Sequence, residues 1–163
     1  MKSKIKGSVA EHINATIPRV WEALTKPELI REYLFGTSTE TDWKVGSTIR
    51  WHGEYEGKKY EDKGKVLKNE EFRMLSYTYW SSMSGIEDLP ENYVVVTYSL
   101  TDEGKKTKLT ITQENIPDEE MKEHAIQNWK KVLDGIKQLL EKDANLCHPH
   151  EECEVNDGSP EQK

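Results

Sequence analysis

The sequence predicts an α+β fold: a curved antiparallel sheet of about seven strands wrapped on a long C-terminal helix, with two short helices after the first strand. Two patterns lead to it. From Pro117 to Lys142, the residues Met121, Ala125, Trp129, Val132, Leu133, Ile136, Leu139 and Leu140 recur at the helical period over about five turns and form a single apolar stripe. Ahead of that stripe, most of the chain alternates apolar and polar residues in short runs separated by turn-forming residues, the signature of half-buried antiparallel strands. A helix with one apolar stripe must lay it on the sheet. A bent sheet around one helix that stands off it leaves a cavity between the layers, and cavities bind ligands.

The elements follow in order. The first strand runs from Ile5 to Ile13, with Ile5, Gly7, Val9, Glu11 and Ile13 on one face. Thr16 is the expected cap of a helix whose first turn contains Pro18, where a missing N–H costs nothing, and Val20, Trp21 and Leu24 form its apolar side. Pro27 opens a second short helix carrying Leu29, Ile30, Tyr33 and Leu34, and Gly36 ends it. Strands are then expected over 38–41, 48–55, 58–68, 73–80, 93–101 and 106–113. Turn chemistry lies between them, at Lys44-Val-Gly-Ser, Glu56-Gly-Lys, Lys68-Asn-Glu and Thr101-Asp-Glu-Gly-Lys. Ile49, Trp51, Gly53 and Tyr55 share one face of their strand while Arg50, His52 and Glu54 take the other, so the sheet has one apolar and one wet face. Gly53 and Gly64 sit inside strand patterns, where glycine marks either a bend that curves the sheet or an irregularity near a turn.

One domain is expected over 1–143 and an acidic, disordered tail over 144–163, whose five acidic residues face Lys163 alone. The net charge of -7 argues against nucleic acid, which needs clustered Lys and Arg, and against docking to an anionic membrane. The N-terminus has no apolar stretch behind its lysines and no window reaches the length of a membrane span, so a cytoplasmic location is expected. Both cysteines, Cys147 and Cys153, lie in the tail, where Cys147-His-Pro-His-Glu-Glu-Cys153 has zinc-ligand residue types without the paired spacing of a structural site. No phosphate loop, nucleophile elbow or metalloprotease helix is present, and neither a cofactor nor a metal is expected in the body.

Several segments resemble the homologues of the activator of heat shock protein 90 ATPase. Val20-Trp-Glu-Ala-Leu-Thr-Lys-Pro-Glu-Leu-Ile is similar to that family's helix-loop-helix opening, and Trp43-Lys-Val-Gly-Ser to its strand-entry turn. Gly64-Lys-Val-Leu and Leu75-Ser-Tyr-Thr-Tyr resemble its central strands. Val96-Thr-Tyr-Ser-Leu with Thr107-Lys-Leu-Thr-Ile resembles its last hairpin, and Trp129-Lys-Lys-Val-Leu-Asp-Gly-Ile-Lys its C-terminal helix. The resemblance spans about Ile5 to Glu141 and implies the helix-grip fold of the START and birch-pollen-allergen (SRPBCC) superfamily, which encloses a hydrophobic cavity. That superfamily includes lipid carriers, hormone receptors and polyketide cyclases, so the resemblance implies a pocket more firmly than an activity.

The expected ligand is therefore a small hydrophobic or amphipathic molecule, lipid- or polyketide-like. Trp51, Tyr55, Tyr60, Tyr77, Tyr79, Tyr98 and Trp129 are the expected lining, because aromatic rings give broad apolar contact and tyrosine hydroxyls orient a ligand. The alternative for the same residues is a solid aromatic core. No catalytic residue is assigned: His12, His52 and His124 lack the spacing and partners of a dyad and read as surface residues. Asp62 shares the Tyr60 and Gly64 face but, near a strand end, is expected to be solvated. A cyclase- or hydrolase-like enzyme using the same cavity is the second reading. A chaperone-interaction module, suggested by the family's name, ranks third, because the eukaryotic activators engage the chaperone through an additional domain.

Overall fold

The structure, a computed structural model, describes residues 5–34, 36–82 and 85–145, with the side chains of Tyr55 and of residues 142–145 outside that description. Strand β1 (Ile5–Ile13) leads into helices α1 (Ile17–Thr25) and α2 (Pro27–Tyr33). Strands β2 (Ser38–Glu40), β3 (Thr48–Tyr55), β4 (Lys58–Glu70), β5 (Met74–Tyr79), β6 (Val94–Glu103) and β7 (Lys106–Ile116) follow, and α3 (Glu119–Asn145) closes the described chain. The strands form one seven-stranded sheet in the order β1-β7-β6-β5-β4-β3-β2, every neighbour antiparallel. From β2 onward each strand pairs with the next. β1 instead pairs with β7, with Val9 opposite Ile111, so the first strand and the strand preceding α3 lie side by side. α3 packs on β1 and β7 and against α1 and α2, which completes the helix-grip arrangement.

Local chemistry sets the element ends. Thr16 occupies the cap position of α1, but its hydroxyl makes no capping bond; Pro18 is in the first turn. Gly36, at φ +83°, ends α2 by donating its N–H to the Arg31 carbonyl at 3.0 Å, in a conformation that costs a residue with a Cβ. The Asp118 carboxylate accepts the Met121 N–H at 2.8 Å, and Glu119 and Glu120 add negative charge to the positive end of α3. α3 runs to Asn145, past the helix end expected at Lys142 and past the domain boundary expected after residue 143. Cys147, Cys153 and the rest of the expected tail from residue 146 onward lie outside the described residues.

The interior is one continuous buried cluster whose aromatic content varies along the sheet. Under the C-terminal half of α3, the buried residues Val132, Leu133, Ile136 and Leu140 share a core with Ile13, Val20, Leu24, Leu109 and Ile111. Each such side chain contributes on the order of 1.5–3 kcal/mol by leaving water. The helix is therefore seated on the sheet here, where the sequence had suggested a gap. Toward its N-terminus the stripe thins: Trp129 and Ala125 are half-buried and Met121 is 38% exposed, contrary to its expected core role. Over β3 to β6 the same cluster holds Trp51, Tyr77 and Tyr98 beside Ile49, Val66, Leu75 and Val96.

Curvature is built in at Gly64. A Cβ there would lie 1.7 Å from the Thr78 carbonyl oxygen, so β4 and β5 approach as closely as they do only because no side chain intervenes. At this bend the Lys65 N–H leaves the backbone ladder and donates to the Thr78 hydroxyl at 2.9 Å.

Candidate functional site

The sheet face turned toward α3 gathers five of the expected lining residues into one chain of rings. Trp51 sits with its ring centroid 5.3 Å from that of Tyr77 and 5.2 Å from that of Tyr79. Tyr77 meets Tyr98 edge-on at 5.6 Å, and Tyr98 meets Trp129 of α3 at 6.2 Å. Such tilted and edge contacts are the favoured aromatic geometries. Period-two alternation explains the gathering: Tyr77 pairs with Val96 and Leu75 with Tyr98, which places Leu75, Tyr77, Tyr79, Val96 and Tyr98 on the inner face. Tyr60 lies apart, on the far side of Gly53. The side chain of Tyr55 is outside the described residues.

Each tyrosine hydroxyl here has a polar partner. Tyr77 and Tyr98 share a hydrogen bond of 2.7 Å, and the Tyr79 hydroxyl donates to Asp62 at 2.7 Å. Tyr60 reaches across Gly53, its cross-strand partner, to the Thr37 hydroxyl at 2.6 Å. A Cβ on Gly53 would fall 2.6 Å from the Tyr60 oxygen, so the glycine is what lets the phenol pass. Trp129 donates its indole N–H to the Gln113 side-chain carbonyl at 2.6 Å, which fixes the ring between α3 and β7.

Asp62 corrects its sequence assignment. It is 7% exposed, and its two oxygens accept the Tyr79 hydroxyl and, at 3.1 Å, the Ser82 N–H. Its inward register with Tyr60 and Gly64 was the signal of burial, and the chain between β5 and β6 covers the strand end that had suggested solvation. Thr37, Thr39, Gln113 and Ser82 were not singled out in the sequence. Small hydroxyl residues carry no pattern of their own, and only the fold brings them to the rings. Thr39, on β2 opposite Trp51, is 5% exposed, and its hydroxyl has no hydrogen-bond partner among the described residues.

Burial sets the electrostatics. It pushes the Tyr33 and Tyr77 phenols well above their ordinary value, with Tyr98 adding to both shifts, and it pushes Tyr98 up to about 12. Tyr79 rises strongly through burial first and the neighbouring Asp62 charge second. These phenols are neutral donors at physiological pH. The described histidines lie elsewhere: His12 pairs with Glu103 at 2.7 Å, His52 with Glu40 at 3.0 Å, and His124 is exposed on α3. Among the described residues no group of three His, Cys, Asp or Glu residues is placed to hold a metal ion, and no helix is long and apolar enough to cross a membrane.

A shallow crevice runs between β1, β7 and the first half of α3, bordered by Gly7, Val9, Ile111, Gln113, Ile126 and Trp129. It is too narrow to hold a water molecule, so it is not a preformed ligand pocket of roughly 300–1,000 Å³. It adjoins the aromatic chain through Trp129.

The family model of the activator of Hsp90 ATPase homolog 1-like proteins matches residues 14–141. A solution structure of ChR145 from Cytophaga hutchinsonii is 45% identical, with a TM-score of 0.78, covering 90% of this chain and all (100%) of that one. The crystal structure of CV1439 from Chromobacterium violaceum is 22% identical with a TM-score of 0.68, covering 85% of this chain and 96% of that one. The Aha1 dimer from Colwellia psychrerythraea, solved in solution, is 18% identical with a TM-score of 0.67, covering 84% and 96%. The last two likenesses show the fold alone. No curated protein matches the chain.

Proposed function

Because the chain belongs to the activator of Hsp90 ATPase homolog 1-like family, we propose that it binds a small hydrophobic or amphipathic molecule on the aromatic part of its inner sheet face. The observation that carries this reading is the linked run of aromatic rings from Tyr79 and Trp51 through Tyr77 and Tyr98 to Trp129. The aliphatic residues of the same core, with Trp21 and Tyr33 among them, hold the fold together. The aromatic run holds phenol hydroxyls that stability alone does not call for, since a buried hydroxyl gains little over the apolar atom it replaces. Tyr77, Tyr79 and Tyr98 instead offer flat apolar contact with polar points set among it, the mixture that orients a ligand.

The size of the crevice adds a condition. A lipid- or polyketide-sized molecule enters only if the first half of α3 lifts or the Trp51 ring turns aside. Met121, Ala125, Ile126 and Trp129 are exposed or half-buried, whereas Val132, Leu133, Ile136 and Leu140 of the second half are buried, so the first half costs less to move. Native mass spectrometry of protein purified gently from its own host tests the reading. The expected result is a non-covalent adduct of a few hundred daltons. An adduct-free spectrum, together with no binding from a panel of amphipathic compounds, overturns it.

The buried Asp62–Tyr79 pair favours a second reading, an enzyme using the same face. A carboxylate held by a phenol beside bound substrate can accept a proton. Turnover of a bound molecule that stops in Asp62→Asn while binding persists would select this reading over simple carriage.

A further inference from the structure

The Asp62 carboxylate is buried without a cation. Among the described residues no ion pair reaches it, and the neighbouring cations are committed elsewhere: Arg50 to Glu61 at 3.0 Å and Lys63 to Asp88 at 2.5 Å. Among the described residues it accepts two hydrogen bonds, from the Tyr79 hydroxyl and the Ser82 N–H, against a carboxylate's acceptor capacity of about four sites. A carboxylate so buried, with neutral donors around it among the described residues, is suited to receive a positive group.

Aromatic faces stand beside it. Trp51 is directly opposite Asp62 on β4 and directly opposite Thr39 on β2. One indole therefore lies between a carboxylate and a buried hydroxyl that have, among the described residues, no cation and no hydrogen-bond partner respectively, with the ring of Tyr79 against the indole. Asp62 and Thr39 lie two strands apart, about 10 Å at ordinary strand spacing. Tyr60 and Tyr79 are half-buried, so this end of the inner face meets solvent.

We propose that this site takes a cationic amphiphile, with a protonated amine or ammonium between the Asp62 carboxylate and the rings of Trp51 and Tyr79, and a hydroxyl or carbonyl of the same molecule on Thr39. The inference rests on the binding reading above and names its ligand class. Ring faces and a carboxylate are the two features that recognise ammonium groups, by cation–π attraction and by charge. The net charge of -7 also draws cations toward the protein.

Three probes with one skeleton test it: phenethylamine, phenethyl alcohol and phenylacetate, titrated into the full chain at neutral pH by calorimetry and by NMR. The amine should bind about tenfold tighter than the alcohol, and the acid weakest of the three. Asp62→Asn should erase the preference for the amine while leaving the alcohol's affinity in place. In the wild-type protein, nuclear Overhauser contacts should join the amine's methylenes to the Trp51 and Tyr79 rings, a readout that does not depend on the variant folding. If the alcohol or the acid binds as tightly as the amine, or the contacts fall outside those rings, the cationic assignment is wrong and the binding reading survives. If none of the three binds at millimolar concentration, both fall.

Discussion

Tyr77 and Tyr98 join their hydroxyls at 2.7 Å inside the protein, and both side chains are buried. Removing one hydroxyl strands the other; removing both leaves none to satisfy. Tyr77→Phe and Tyr98→Phe should each destabilise the fold by about 1–3 kcal/mol, and the double variant by less than the two summed. Urea denaturation of the four proteins measures this cycle. Strict additivity would mean that the hydroxyls do not depend on each other.

Two glycines of β3 and β4 differ in what a methyl group would strike. At Gly53 it meets the movable end of Tyr60; at Gly64 it meets the Thr78 backbone. Gly53→Ala should cost about 1 kcal/mol through the lost Tyr60–Thr37 bond. Gly64→Ala should cost about 3 kcal/mol or more and disturb the β4–β5 pairing. Thermal melts rank the two, and equal melting temperatures would contradict the bend at Gly64.

Gly7 has the opposite character. A Cβ there would sit 3.4 Å from the Lys122 side chain and 3.5 Å from Ile126, in ordinary contact at the crevice. Gly7→Ala should be neutral or stabilising by up to about 1 kcal/mol, since alanine also restricts the unfolded chain. A clear loss of stability would show that the crevice is tighter than described.

The pH dependence has two sides. The Lys137 ammonium, then the Asn14 N–H, hold the Glu141 carboxyl below its ordinary value of 4.5, so its contribution is present above that pH and is lost as acid protonates it in the folded state. Tyr98 is raised from 10.0 to about 12, so its contribution is intact below pH 10.0 and is lost as pH rises through the folded value. Stability should be flat near neutrality, fall below about pH 4 and fall again above about pH 10. Tyrosinate absorbance should show the buried phenols ionising only with unfolding; free titration near 10 in the folded protein would contradict their burial.

The elements were legible in sequence wherever one periodicity dominated. The helical stripe located α3, and alternation located the strands and the inner-facing Trp51, Tyr77, Tyr79 and Tyr98. What escaped depends on three-dimensional neighbours. Met121 keeps the period of the stripe but is 38% exposed. Asp62 kept the inward register, and its burial needed the covering chain that brings Ser82 to it. Thr37 and Thr39 gained significance only when β2 placed them beside Tyr60 and Trp51. The seating of α3 on the aliphatic residues depends on how tightly Ile13, Leu109 and Ile136 interlock, which no linear pattern records.

The most direct measurement is a chemical-shift map of the isotopically labelled protein titrated with the molecule recovered from its host, or with the best probe from the amine series. The account predicts saturable shifts at the Trp51 and Trp129 indole N–H signals and along the inner-facing positions of β3 to β6. Shifts confined to the outer sheet face, or signals that do not move at saturating concentration, would contradict it.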